Sequence, residues 1–174
     1  FLSFPKSEYV NAYKEALLKE INAFDCNDTV KSIFIGGGTP SLIDSSIIAE
    51  ITESLGKFHI AENAEITIEA NPGTLTDYKL KTYKENGINR ISMGLQAWQD
   101  SLLKTLGRIH TRDEFLKNYY LTSKYFDNIN IDLMFSLPDQ TFEMWLETLE
   151  NVTALKPKHI SAYSLIIEEG TPFY

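Results

Sequence analysis

This 174-residue sequence predicts a parallel α/β fold built on a curved sheet. Three observations carry that expectation. Strand-like and helix-like segments alternate along the chain, no long Gly, Ser or Pro linker divides them, and three strands pair one polar face with one apolar face. Strands alternating with helices make βαβ units with parallel pairing and right-handed crossovers. A flat parallel sheet covered on both sides would show almost continuous apolar strands. One polar face instead calls for helices outside and a polar, ligand-bearing lumen inside. An antiparallel sheet with a solvated face would show the same alternation, but the intervening helices argue against it.

The elements follow in order. Ser7 is placed as the cap of a first helix reaching about Phe24, with Val10, Tyr13, Ala16, Leu17 and Ile21 at helical spacing. VKSIFI is a strand, and Asp44 caps a helix to about Leu55. AEITIEA is a strand closed by Asn71-Pro72-Gly73. Thr76 or Thr74 opens the next helix, which stops at Asn86-Gly87. NRISMGLQ is the third strand. A short helix over about Asp100 to Leu106 ends at Gly107, and a longer one covers about Arg112 to Phe126. NINIDLMFSL, a helix from about Thr141 to Leu155, a break at Pro157 and the strand HISAYSLI complete the chain. Within the strands, Glu65, Thr67, Glu69 and Asn71 share a face. So do Arg90, Ser92, Gly94 and Gln96, and so do Asn130 and Asp132.

Composition narrows the function classes. With 43% hydrophobic and 23% charged residues the chain is an ordinary globular domain. Net charge is -8, from 24 acidic and 16 basic residues, with no basic stripe, so nucleic acid is not expected as a partner. No apolar run approaches the roughly 18 residues of a membrane span. The FLSFPKSEYV start lacks the features of a secretory signal, which makes a cytoplasmic location the expectation. Cys26 is the one cysteine and forms neither an internal disulfide nor, by itself, a cluster site.

Ligands of parallel α/β folds sit beyond the C-terminal strand ends, and polar residues gather there. Gly36-Gly37-Gly38-Thr39-Pro40-Ser41 follows the first strand. It is either a bare turn or a loop whose amides approach a ligand. It is neither a phosphate-binding P-loop nor GxGxxG. Glu69 and Gln96 end strands, and Asp132 points inward. Arg90 pairs Glu69 structurally, or these groups hold a ligand with hydroxyls and an ammonium. Arg108 is a surface arginine or a partner for a carboxylate. His59, His110 and His159 have no metal-ligand spacing, and no GxSxG elbow supports hydrolysis.

Taken together, GGGTPS, EANP, NRISMGLQ, GRIH, NIDLMFSLPDQT and HISAYSLIIEEGTPFY, in that order, resemble the oxygen-independent coproporphyrinogen oxidase family of radical S-adenosylmethionine proteins. The resemblance covers nearly the whole chain. It implies an incomplete (β/α)6 barrel of TIM-like type. Residues 1–174 would be one partial barrel domain lacking the first strand, the CxxxCxxC cluster loop and a C-terminal domain. It further implies S-adenosylmethionine as cofactor, and a 4Fe-4S cluster in the full-length protein only. By matching positions, Gly37, Gly38 and Thr39 contact the methionine moiety and Glu69 is the cofactor-binding acid. Gln96, Arg108, Asp132 and Ser164 are further cofactor-site residues. Trp98 where Phe is usual, and Asp139 where Gly is usual, are departures that leave the likeness intact. GRIH, ISAYSL and EEGTPFY favour the family's haem-chaperone branch over true oxidases, with a catalytically inert scaffold as a third alternative. That branch implies a small-molecule cofactor, a haem or porphyrin ligand, a haem-acceptor protein and a peripheral membrane contact of the longer protein. His110 is a candidate haem ligand.

Overall fold

In the computed structural model, residues 7–171 and 173–174 are described; the FLSFPK start lies outside them. Five strands form one sheet: β1 (Val30–Ile35), β2 (Ile60–Ala70), β3 (Arg90–Gln96), β4 (Ile129–Phe135) and β5 (His159–Ser164). They lie in sequence order, and every neighbouring pair is parallel. The helices are α1 (Ser7–Ala23), α2 (Ser45–Ser54), α3 (Asp77–Glu85), α4 (Asp100–Thr105), α5 (Arg112–Thr122) and α6 (Phe142–Ala154). Sequential parallel strands with helices on one side make an arc of a barrel.

The helix caps explain where helices begin. Asp44 accepts from Ser46 N–H, Thr76 from Lys79 N–H and Thr141 from Met144 N–H. Thr111 and Glu114 form a reciprocal capping box at α5. At α1 the helix already includes Ser7, so the expected capping residue is helical.

The core lies between the sheet's apolar face and these helices. Ile68, Ile91, Met93, Ile131 and Leu133 from the strands meet Ile48 of α2, Leu80 and Tyr83 of α3, Phe115 of α5 and Val152 of α6. The other sheet face is polar, as the alternation requires. A second cluster of Ala97, Leu102, Leu103 and Leu137 packs with Leu106, Met134 and Leu165.

The structure departs from the sequence expectation at several places, of which three bear on the packing. Strand β2 begins at Ile60 rather than Ala64, and its register against β1 slips between Val30 and Ser32. Glu62 and Asn63 fall in that irregular stretch, where no alternation marks a strand. Helix α5 ends at Thr122 rather than Phe126 because the chain tightens there. Lys124 N–H bonds Leu121 C=O and Tyr125 N–H bonds Thr122 C=O, each three residues back. A 3-10 turn at Pro40–Leu42 also follows the glycine loop.

Candidate functional site

The loop after β1 is held by the end of β2. Gly37 and Gly38 have φ of +86° and +66°, which side-chain-bearing residues rarely adopt. This turn lets Gly37 N–H donate to Glu69 Oε2 at 3.0 Å. Gly36 is required for closeness: a Cβ there would stand 2.5 Å from the Phe34 ring and 3.0 Å from the Glu69 carboxyl. One step on, Asn71 Nδ2 donates to Thr39 Oγ1 at 2.9 Å. Asn71 N–H donates to Ser41 Oγ at 3.2 Å, tying the two loops together.

At the end of β3 the register against β4 slips between Gly94 and Gln96, and Gln96 takes φ of 74°. Its side chain is 4% exposed and accepts from Tyr163 OH at 3.0 Å. A non-glycine residue held in this region is strained, a state typical of binding sites. Gly94 makes room for it. A Cβ there would lie 2.7 Å from Gln96 Nε2 and 3.3 Å from Asn71 Oδ1.

Arg108 is delivered by the end of α4. Gly107, at φ +67°, allows Gly107 N–H to bond Lys104 C=O and Arg108 N–H to bond Leu103 C=O, a Schellman closure. The chain then reverses and Arg108 reaches the lumen. Burial pushes its guanidinium below the usual value, while nearby Tyr163 and Asp132 push the other way.

The lumen faces of β3, β4 and β5 share one hydrogen-bond ladder. Asn130 Nδ2 donates to Asp132 Oδ1 at 2.7 Å and to Ser92 Oγ at 2.8 Å. Ser92 Oγ donates to Asp132 Oδ2 at 3.0 Å. Asn130 Oδ1 meets His159 Nδ1 and accepts from Ser161 Oγ at 3.1 Å.

These elements enclose a cavity of about 460 Å³ at the C-terminal ends of the strands, within the size range of small-molecule sites. Gly38, Thr39, Glu69, Gln96, Arg108 and Asp132 line it together. Gly37 touches it through Glu69. Ser164 does not line it. Strand pairing sets Ser164 beside Phe135, whose ring packs on Trp145 of α6, so Ser164 lies on the helix side of the sheet. Tyr163, one residue earlier, takes the lumen position.

Arg90 does not pair with Glu69. It lies 3.7 Å from Glu65 and donates to Thr67 Oγ1, lower in the lumen. His110 is 5% exposed, with Nε2 at 3.4 Å from Leu95 C=O, and does not line the cavity. Sequence reading passed over Asn71, Ser92, Gly94 and Tyr163 as cavity residues. The polar-face alternation already contained the signal for the first three.

Chemically, the wall offers carboxylates at Glu69 and Asp132, a guanidinium at Arg108, and neutral hydrogen-bonding groups at Thr39 and Gln96. Such a set suits a zwitterion that also carries hydroxyls. Among the described residues no three His, Cys, Asp or Glu side chains gather as a metal site. Cys26 lies in a separate groove with Leu17, Ile21 and Phe58. Likewise, among the described residues, no helix is long and apolar enough to cross a membrane.

The family model described as the radical SAM superfamily matches residues 5–152. The chain belongs to that superfamily. Membership in the radical SAM superfamily implies S-adenosylmethionine and a 4Fe-4S cluster as cofactors. This radical SAM chain is 39% identical over 171 residues to a protein named heme chaperone HemW from Buchnera aphidicola of Schizaphis graminum. That match covers 98% of the chain and 45% of the relative. It is also 39% identical over 171 residues to heme chaperone HemW of Escherichia coli, covering 97% and 45% respectively. The chain thus spans less than half the length of these relatives. Among solved structures, coproporphyrinogen III oxidase (HemN) from Escherichia coli, described as a radical SAM enzyme, superposes with a TM-score of 0.78. That comparison has 27% identity and covers 91% of this chain and 37% of that one.

Proposed function

We propose that this chain forms the S-adenosylmethionine-binding part of a longer haem chaperone of HemW type. The observation that carries the reading is the cavity itself, where Glu69, Arg108 and Asp132 converge on strand ends beside the glycine loop. Glu69 would accept from the cofactor's ammonium while Gly37 N–H holds its other oxygen. Gly38 and Thr39 would border the methionine portion. Arg108 would face a carboxylate, and Asp132 and Gln96 would meet hydroxyls or ring nitrogens. These donors and acceptors fit S-adenosylmethionine, whose two ends carry opposite charges. An iron–sulfur cluster, when bound to the longer protein, supplies the electron for reductive cleavage of the sulfonium. This chain's own groups bind and orient the cofactor and limit its exposure to water.

The identity to proteins named HemW supports haem as ligand and a haem-requiring protein as acceptor. A cytoplasmic setting agrees with that role. The second reading, oxidative decarboxylation of coproporphyrinogen, is favoured by the structural likeness to HemN. An oxidase must hold a substrate hydrogen at near-contact distance from the reactive centre, a demand that a carrier escapes. The deciding experiment is anaerobic incubation of the full-length, cluster-loaded protein with coproporphyrinogen, S-adenosylmethionine and a reductant. Tight haem binding without protoporphyrinogen formation is expected. Substrate-dependent protoporphyrinogen formation would overturn the chaperone reading.

A further inference from the structure

We infer that Asn130 is the positioning residue for Asp132, and that His159 at the far end of the lumen sets the direction of the Asn130 amide. The inference rests on the reading of Asp132 as a cofactor-binding group.

Asn130 is 1% exposed and its amide uses its full capacity: both Nδ2 hydrogens are donated and Oδ1 meets two partners. One hydrogen goes to Asp132 Oδ1 and the other to Ser92 Oγ. Ser92, having accepted, passes its own hydrogen to Asp132 Oδ2. The two carboxylate oxygens are therefore clamped from different residues, and the plane of the carboxylate is set before any ligand arrives. A ligand that finds Asp132 already oriented need not order it, which favours binding. Lone pairs remain on both oxygens for the cavity side.

The amide has only one workable direction. Turned over, it would set Oδ1 against Asp132 Oδ1, acceptor to acceptor, and point its hydrogens at Ser161 and His159. With Oδ1 facing it, His159 must donate from Nδ1–H, which fixes the proton on that nitrogen. His159 and Ser161 stand on β5, Asn130 and Asp132 on β4, and Ser92 on β3. The ladder therefore runs from an exposed residue at the N-terminal end of the lumen to the ligand cavity at its C-terminal end. Burial alone would ask only that the amide be satisfied. It would not require that both hydrogens serve one carboxylate, directly and through Ser92.

The test uses the full-length, cluster-reconstituted protein and equilibrium titration with S-adenosylmethionine. Asp132→Ala is expected to weaken binding about ten-fold or more, and Asn130→Ala by a similar factor. The double variant should be no weaker than Asp132→Ala alone, since Asn130 acts through that carboxylate. His159 is exposed, so a pair of variants there tests the ladder without opening the core. His159→Asn keeps a donor near the Nδ1 position and should retain affinity, whereas His159→Leu should lose about three-fold. Equal losses from Asn130→Ala with and without the Asp132 carboxylate would overturn the inference. So would equal losses in the two His159 variants. A loss in Asp132→Ala with none in Asn130→Ala refutes the positioning role while leaving the ligand role of Asp132 standing. Unchanged affinity in Asp132→Ala refutes both.

Discussion

Glycines at 36, 37 and 94 are needed for two different reasons, close approach at 36 and 94 and backbone conformation at 37, and substitutions there separate them. At Gly36 the obstacle is the Phe34 ring and the Glu69 carboxyl; at Gly37 nothing lies within 4 Å and the obstacle is φ of +86°. Gly94 borders the Gln96 amide. Gly94→Ala is therefore expected to push Gln96 off Tyr163. In the full-length protein it should weaken S-adenosylmethionine binding by about 1 kcal/mol, the worth of one hydrogen bond, with titration as the check. Glu69→Gln removes a charged acceptor and should cost roughly 1.5–3 kcal/mol of cofactor affinity. If titrations of both variants match the parent, the cavity is not the cofactor site. His110 supplies a pH prediction. Burial, helped by the Arg108 charge, holds its pKa below 6.5 in the folded chain, against a weaker upward pull from Leu95 C=O. The unfolded chain then takes up the proton first, so this contribution to stability is complete above 6.5 and is lost as pH falls through the lower folded value. Urea midpoints should fall more steeply with acidification in the parent than in His110→Gln.

Helix ends divide into those that only hold the fold and those that also aim a ligand group. The Thr141 cap bonds Met144 N–H at the start of α6, away from the cavity. Thr141→Ala should destabilise by about 1 kcal/mol in urea unfolding and leave cofactor affinity alone. Gly107 both closes α4 and turns the chain so that Arg108 enters the lumen. Gly107→Ala should cost about 1 kcal/mol of stability through its positive φ, and should also weaken cofactor binding. Equal ligand affinities in the two variants would show that the α4 end does not aim Arg108. Strands divide in the same way. The slip between Gly94 and Gln96 gives β3 a residue without a partner on β4, and the strained Gln96 is the result.

Across the whole molecule, five parallel strands curl with helices outside and charge inside, while the chain spans less than half of its HemW relatives. Ligating a 4Fe-4S cluster takes three or four thiolates, and Cys26 is the one cysteine. Anaerobic reconstitution of this chain alone should leave its visible spectrum nearly featureless; a stoichiometric charge-transfer band would contradict that. The sequence by itself determined the order and type of the elements and which faces of β2, β3 and β4 are polar, because strand side chains alternate with period two regardless of distant contacts. It also determined the cap at Asp44 and the helix starts near Thr76 and Thr141, since a cap is a bond made within three residues; the structure chose Thr76 over Thr74. Six of the eight proposed cofactor residues, all but Gly37 and Ser164, meet at one cavity: strand parity places Glu69 and Asp132, the β3 end places Gln96, the loop after β1 brings Gly38 and Thr39, and the α4 end delivers Arg108. Only the tertiary structure decided the rest. Tyr163 rather than Ser164 faces the lumen because the β4 register sets the parity of β5. Strand pairing sets Arg90 beside Thr67 and Ser92 beside Glu69, and the guanidinium turns toward Glu65, away from the cavity end. The Asn130 ladder and the burial of His110 are likewise properties of several strands at once, and no local pattern in one segment encodes them.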